Sequence, residues 1–328
     1  MRIATVNVNG IRAAARKGMD QWLRSSGADV VLLQEVRAEE PVAASLLPGY
    51  EAVTWPCRVK GRAGVSVAVR QGGPVRLGQV RYGVAPPGTQ EPDVDSGRWL
   101  EADLLPASPG PDHVDGPDPA QQPVAGQATR PGPAPGPAVP DPAPGPGAPG
   151  QDPGGPGTPS ESARPLLTVV SAYFHAGQVG TERMGQKYAH LSLVDARMSA
   201  LLASAADGPQ VLVAGDLNIV HTASDMRNWR SNHNRTSGVL DEEIAYLDTW
   251  FSSGWVDTVR RLAGPVQGPY TWWSQRGSAF ENDTGWRIDY HLTTPSLAAL
   301  ARSFTIDKAD RRSGRWSDHA PLVVDYDL

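Results

Sequence analysis

Polar side chains able to bind ions or move protons recur in this sequence at one kind of place, the point where an apolar run stops. The run Arg2–Asn7 gives way to Asn7-Val8-Asn9-Gly10, and Val30-Val31-Leu32-Leu33 to Gln34-Glu35. A third run ends in Tyr173-Phe174-His175, and Val211–Ala214 ends in Gly215-Asp216-Leu217-Asn218. Asp289 interrupts the run around Tyr290, and Ser317-Asp318-His319-Ala320-Pro321 comes just before the last one. Singly, each has an ordinary explanation: Asn7 could satisfy a turn, Asp216 and Asn218 an Asx turn, Glu35 a solvated loop. Together they form one pattern, because side chains at the mouths of buried strands converge on one edge of a rigid core. Several carboxylates with a His, a Tyr and two Asn, and no nucleophile or thiol motif beside them, suit a hard cation and a phosphate.

The elements that must carry these residues are legible from periodicity. Strands are expected at Arg2–Asn7, Asp29–Gln34, Gly64–Arg70, Gln210–Ala214, Arg287–Leu292 and Pro321–Tyr326. In Gln186–Ala206, Tyr188, Leu191, Val194, Met198 and Leu201 share one helical face. Asp241–Ser253 reads as a second helix, capped by Asp241 and ended by Gly254. Many strands with helices between them imply an α/β fold of two packed mixed sheets flanked by helices, a four-layer sandwich.

Residues 105–164 stand apart. They hold more than half of the 31 prolines, almost no aliphatic or aromatic side chain, and −4 of the net charge of −5. Such a stretch cannot bury enough surface to offset its ordering entropy, so it reads as a disordered insert. The flanks Arg98–Leu104 and Leu166–Ala172 look like the two strands of a hairpin. The insert is then an overgrown hairpin tip within a single domain spanning 1–328, placed away from the candidate site and dispensable to it. The remainder is nearly neutral, which argues against a general nucleic-acid binder but permits an arginine-lined face. The single cysteine, Cys57, rules out an internal disulfide, and no run approaches the roughly 20 apolar residues of a membrane span. With no signal-peptide pattern at the start, the expectation is a cytoplasmic protein.

The motifs T-V-N-V-N-G-I-R, L-L-Q-E, S-A-Y-F, G-D-L-N, W-R-I-D-Y and S-D-H-A-P, in this order, resemble the endonuclease/exonuclease/phosphatase superfamily. Within it, the chain is most similar to the exonuclease III and AP endonuclease branch, and the resemblance covers everything outside 105–164. It implies a DNase-I-like fold and a monomeric, Mg²⁺-dependent nuclease, with Mn²⁺ as an alternative ion. The expected substrate is duplex DNA with abasic sites or damaged 3′ ends, met at the bacterial nucleoid in base excision repair. By that resemblance Glu35 and Asn7 hold the catalytic ion. Asp216, Asn218, Asp318 and His319 are further metal-facing groups, and Asp29 resembles a metal-linked position of some members. The resemblance also implies that Asp216 orients or deprotonates the attacking water, with a Tyr173 tyrosinate as the other proton acceptor. Asn218, Tyr173 and His319 would contact the phosphate, and Asp289 would orient His319. Trp272 and Trp286 would wall a pocket for a flipped-out abasic sugar, while Trp273 reads as core. Asn228, Arg230 and Asn232, in the polar run Arg227–Arg235, are expected on DNA phosphates. One departure stands out: many relatives continue Tyr173 with a Pro-Asn or Pro-Gln pair, where this chain has Phe174-His175-Ala176-Gly177. The rivals are another phosphoesterase of the superfamily, or a catalytically inert DNA-binding scaffold that recruits partners through the insert.

Overall fold

The computed structural model describes residues 1–86, 88–107 and 164–328. Fourteen strands are present among them: β1 Arg2–Asn7, β2 Val30–Gln34, β3 Tyr50–Trp55, β4 Val65–Arg70, β5 Val75–Tyr82, β6 Trp99–Pro106, β7 Leu167–Tyr173, β8 Gln210–Asp216, β9 Val256–Asp257, β10 Trp272–Trp273, β11 Gly285–Trp286, β12 Asp289–Thr293, β13 Ala301–Ile306 and β14 Leu322–Tyr326. The helices are α1 Ile11–Arg16, α2 Met19–Ser26, α3 Glu40–Ser45, α4 Glu182–Ser204, α5 Trp229–Asn232, α6 Asp241–Ser253, α7 Thr258–Ala263 and α8 Pro295–Leu300. None is long and apolar enough to cross a membrane.

Two six-stranded mixed sheets form the centre, in the orders β13-β14-β1-β2-β4-β3 and β5-β6-β7-β8-β12-β9. Their facing sides interlock through Ile3, Leu32 and Val67 from one sheet and Ala102, Val169 and Leu212 from the other. The outer face of the first sheet, with Val6, Val31 and Leu33, is covered by Ile11, Met19 and Leu23 of α1 and α2. The outer face of the second, with Val170 and Val213, is covered by Leu191, Val194 and Met198 of α4 and by Leu247 and Trp250 of α6. Each strand is apolar on both sides because each sheet is buried on both sides. This is the expected four-layer α/β sandwich.

The inward positions change character along each strand. On β1 they run Ile3, Thr5, Asn7; on β7 Leu167, Val169, Ser171, Tyr173; on β8 Leu212, Ala214, Asp216. Midway, Gln34 donates to the Oγ atoms of Thr5 and Ser171, each at 3.0 Å, so the first polar layer is closed by its own hydrogen bonds. Beyond it lie the ionisable groups, all at one end of the sandwich. That arrangement follows from β1–β2 and β7–β8 each pairing in parallel, which brings their C-terminal ends to the same edge.

Element boundaries moved where local contacts outweighed pattern. Strand β8 runs on to Asp216 rather than stopping at Ala214, through Gly215 (φ 149°), where an added Cβ would sit 1.9 Å from the Ala172 carbonyl oxygen. Strand β12 begins at Asp289, not Arg287, because the Arg287 amide is taken by the Asp225 carbonyl at 2.8 Å. Helix α4 starts early, at Glu182, where the Thr181 hydroxyl accepts from the Arg183 amide. Asp241 is the first residue of α6 rather than its cap: it binds His233 and Asn234, and the Leu240 amide donates to Glu243 instead.

The expected hairpin is present, β6 and β7 pairing antiparallel from Trp99↔Ala172 to Leu104↔Leu167. Strand β6 reaches Pro106, so Leu105 and Pro106 belong to the sheet rather than to the insert at 105–164. The insert itself lies outside the described residues. Its flanks, Ala107 and Arg164, leave the sheet at the far end of β7 from Tyr173, about 20 Å away for a strand of this length. Replacing 108–163 by a short glycine-containing turn should therefore leave the thermal unfolding midpoint within a few degrees of the parent, as read by calorimetry. A drop of more than about 10 °C, equivalent to several kcal/mol, would show that the segment belongs to the folding unit.

Candidate active site

Both sheets supply the site, and hydrogen bonds cross between them. From the first, Asn7 donates to Asp216 Oδ2 of the second at 2.9 Å. The Tyr173 hydroxyl of the second donates to Glu35 Oε1 of the first. His319, in the loop entering β14, places Nδ1 2.9 Å from Asp289 Oδ2 and Nε2 3.7 Å from Asp216 Oδ2. Asp289 and Asp216 are direct partners across β12 and β8. All of these but Asp289, which stands behind His319, line one cavity of about 630 Å³, whose walls also include Asn9, Asn218, Asp318, Trp272, Trp286 and Ile288.

Four of the lining residues hold the left-handed backbone conformation that non-glycine residues avoid: Asn9 (φ 47°), Glu35 (φ 50°), Arg37 (φ 50°) and Asn218 (φ 51°). Asparagine tolerates it; glutamate does not, and Glu35 is kept there by its surroundings, at a cost of about 1–3 kcal/mol. The Glu35 carboxylate is held by Tyr173 on one oxygen and by Arg37 Nη2, at 2.9 Å, on the other. The Asn218 amide nitrogen reaches the Phe174 carbonyl at 3.0 Å and Asp216 Oδ2 at 3.2 Å. Asp318 accepts from Asn9 Nδ2 at 2.8 Å and from Trp272 Nε1 at 3.2 Å.

Burial sets the charge states. It pushes Asp216 up to about 7, against the pull of the His319 charge. Burial alone would push His319 down, but the charges of Asp289 and Asp216 outweigh it and hold the imidazole protonated up to about 10. Burial, reinforced by the Glu35 charge, pushes the Tyr173 phenol well above its ordinary value, so it remains a donor. Burial also pushes Asp318 up, but His319 and the Asn9 and Trp272 donors reverse this, and it stays an acid anion. The site is therefore a row of donors, Tyr173, Asn7, Asn218 and imidazolium His319, facing one cavity beside carboxylates.

Asp216, Asp289 and His319 offer three ligand atoms within 4.8 Å of one another, the one such group among the described residues. Both ring nitrogens of His319 face carboxylates, an arrangement that holds a proton on the imidazole and leaves no lone pair for a metal. The cavity is lined by oxygen-bearing side chains, Asn7, Glu35, Asp216, Asn218 and Asp318, a donor set that suits a small divalent cation.

Trp272 and Trp286 pack edge to face at 5.3 Å on the paired strands β10 and β11, forming one wall. Trp273 points away and is buried with Tyr270 and Phe280. Asn228, Arg230 and Asn232 are not brought to the cavity: they lie on and before the short helix α5, with Asn232 bonded back to Asn228. From the same polar run, Arg235, followed by Thr236 and Ser237, lines the cavity instead. Arg37, Gln178, Thr236 and Ser237 were not singled out from sequence; only the left-handed turns that re-aim these loops bring them in. His175 does not take over a phosphate-facing role, because its Nε2 is engaged by Asp95 at 2.6 Å in a buried pair. Asp29, just upstream of β2, is occupied by the Arg2 amide and by Arg70, at the opposite end of the sheet from Glu35.

Known proteins share this plan. The endonuclease/exonuclease/phosphatase family model matches residues 4–319. An exodeoxyribonuclease of Bacillus subtilis is 26% identical over 327 residues, covering 99% of this chain and 98% of its own. One from Streptococcus pneumoniae is 36% identical over 180 residues, 53% of this chain; the match spans 63% of that relative's length, less than two thirds. Among solved structures, an AP endonuclease from Archaeoglobus fulgidus superposes with a TM-score of 0.69 at 20% identity, covering all of both chains. A 3′-5′ exonuclease from Neisseria meningitidis gives 0.70 at 19% identity, again over both whole chains. At these identities the structures speak to the fold.

The buried imidazolium has a measurable consequence. The folded chain binds this proton more tightly than the unfolded one, whose imidazole titrates near 6.5. The stability it contributes is complete below about 6.5 and is lost as pH rises toward 10. Imidazole resonances of His319 should show a ring still protonated at pH 8. Asp289→Asn should lower its titration by two units or so, because one charge at hydrogen-bond distance is removed. A ring that titrates near 6.5 in the parent would mean that the carboxylates do not hold the proton.

Proposed function

Because the chain belongs to the endonuclease/exonuclease/phosphatase family, we propose that it is a Mg²⁺-dependent phosphodiesterase of DNA repair. It incises DNA 5′ to abasic sites and removes 3′ blocking groups or nucleotides by attack of water on phosphorus. The observation that carries this reading is the Asp289–His319–Asp216 charge cluster at the floor of a cavity walled by Trp272, Trp286 and Ile288. A protonated imidazole beside two carboxylates supplies a donor for an anionic phosphate and an acceptor for a proton in one place.

Asp216 takes the proton of the attacking water. Its raised affinity for protons fits that task near neutral pH, and the Tyr173 phenol, held protonated by burial and Glu35, does not compete for it. When the phosphate binds, Tyr173, Asn218 and His319 turn from their present acceptors to its oxygens and stabilise the charge that grows there. Asp289 keeps His319 charged and turned toward the cavity. Glu35 and Asn7, side by side at the ends of β2 and β1, would hold Mg²⁺, with Asp318 as a further carboxylate nearby. When bound, the ion would neutralise charge on the departing 3′ oxygen. The two tryptophans and Ile288 make a cleft that admits a sugar lacking its base and excludes an intact nucleotide.

The deciding assay is nicking of a duplex with one abasic site, run beside blunt and 3′-phosphate duplexes, with and without EDTA. Mg²⁺-dependent nicking 5′ to the lesion is the expected result; a chain that leaves all three duplexes intact overturns the reading. Glu35→Gln keeps the shape but removes the charge, and should lower turnover by about two orders of magnitude or more with the fold retained. Trp286→Ala should cost abasic incision more than 3′-phosphate removal. An equal loss on both would make the ring a structural wall only.

A further inference from the structure

A buried ion pair outside the cavity meets three of the loops that form it. Lys187 of α4 and Glu243 of α6 are fully buried, with Nζ 2.5 Å from Oε1. A buried pair of this kind is weak evidence for stability, since apolar residues often serve as well. What sets this one apart is where its remaining contacts go. Lys187 Nζ donates to the backbone carbonyl of Asn218 at 2.9 Å. Glu243 accepts from the amides of Gly238 (2.5 Å) and Leu240 (3.1 Å) and from the Ser237 hydroxyl (3.1 Å). That hydroxyl lies 2.5 Å from the Ala176 carbonyl, its stronger contact.

The loops after β7, after β8 and before α6 thus meet at one charge pair, and their cavity-facing members include Ala176, Asn218, Thr236 and Ser237. The packing leaves no slack. A Cβ on Gly238 would sit 2.7 Å from the Asn218 carbonyl oxygen, and one on Gly177 would sit 2.4 Å from Ser237 Oγ. The Val220 amide closes the junction on the Gly238 carbonyl at 2.8 Å. Asn218 has a left-handed backbone, and the Lys187 ammonium binds the carbonyl of that same residue.

We propose that Lys187 and Glu243 are positioning residues of the active site. The pair locks the left-handed Asn218 turn and the Thr236–Gly238 wall so that the Asn218 amide meets the phosphate. The proposal rests on the phosphodiesterase reading for its kinetic consequence, though not for its structural one.

The test uses the full chain with K187M/E243Q, which removes both charges and keeps both lengths, and E243Q alone as the milder variant should the double variant not fold. Amide hydrogen exchange should quicken at Val220, Gly238 and Leu240 while the centres of β7 and β8 stay protected. On abasic duplex, kcat should fall about 10- to 100-fold with KM within about threefold, the signature of misplaced transition-state contacts. In an Asn218→Ala background the same charge removal should cost less than about threefold, because its effect runs through Asn218. Unchanged exchange at those amides, or kinetic losses that simply multiply with Asn218→Ala, overturns the proposal. If the parent chain nicks no DNA, the functional reading fails and the exchange result alone decides the positioning.

Discussion

Everything in this site depends on three polar links at the mouth of two sheets whose facing sides are otherwise mostly hydrocarbon. Asn7 to Asp216, Tyr173 to Glu35 and His319 to Asp289 each join a residue of one sheet to a residue of the other. An ionised carboxylate in such a seam costs several kcal/mol unless charge and hydrogen bonds surround it. The sheets must therefore stack in one register, because a shift of either would strand Asp216 or Asp289 without its imidazolium. The apolar half of the sandwich favours burial, and the polar mouth selects which burial is allowed.

The links also explain where backbone strain is stored. Glu35 and Asn218 lie just past the ends of β2 and β8, where the chain must turn at once to keep its side chain in the cavity. A left-handed residue makes that turn in one step, and the two sheets over-determine it. The same tightness requires Gly215, where the β8 backbone passes too near Ala172 for any side chain.

The tryptophan wall has a thinner scaffold, two strands of two residues each, and borrows rigidity from a second buried charge group. Arg287, wholly buried, binds Asp225 at 2.6 Å and Asp257 at 2.7 Å. Arg260 joins the same Asp225 carboxylate. Burial pushes Asp225 up, but the Arg287 and Arg260 charges override it and hold it down at about 2. The Met226–Trp286 bridge follows directly from this clamp, since Arg287 is the neighbour of Trp286 and Asp225 that of Met226. The pocket wall is thus tied to β12, the strand that carries Asp289.

By itself the sequence determined the sandwich and most of the site. Both follow from one local rule: a strand buried on two faces is a continuous apolar run, so a polar residue at its end is visible against it. Asn7, Glu35, Tyr173, Asp216, Asn218, Asp289, Asp318 and His319 were all readable that way, and the structure gathers them around one cavity or directly behind it. Trp272 and Trp286 were readable as aromatic residues flanking the Asp289 strand. What only the tertiary structure decided lies in loops and between elements distant in sequence. Which part of the polar run 227–235 faces the cavity depends on the turn after α5, and Asn228, Arg230 and Asn232 turn elsewhere. Whether His175 or Asp29 is free depends on Asp95 and Arg70, 80 and 41 residues away. The proton on His319 depends on carboxylates 30 and about 100 residues off, brought within 4 Å of the ring only when the two sheets close. Local pattern records which face of a strand is buried; it holds no record of what will be buried against it.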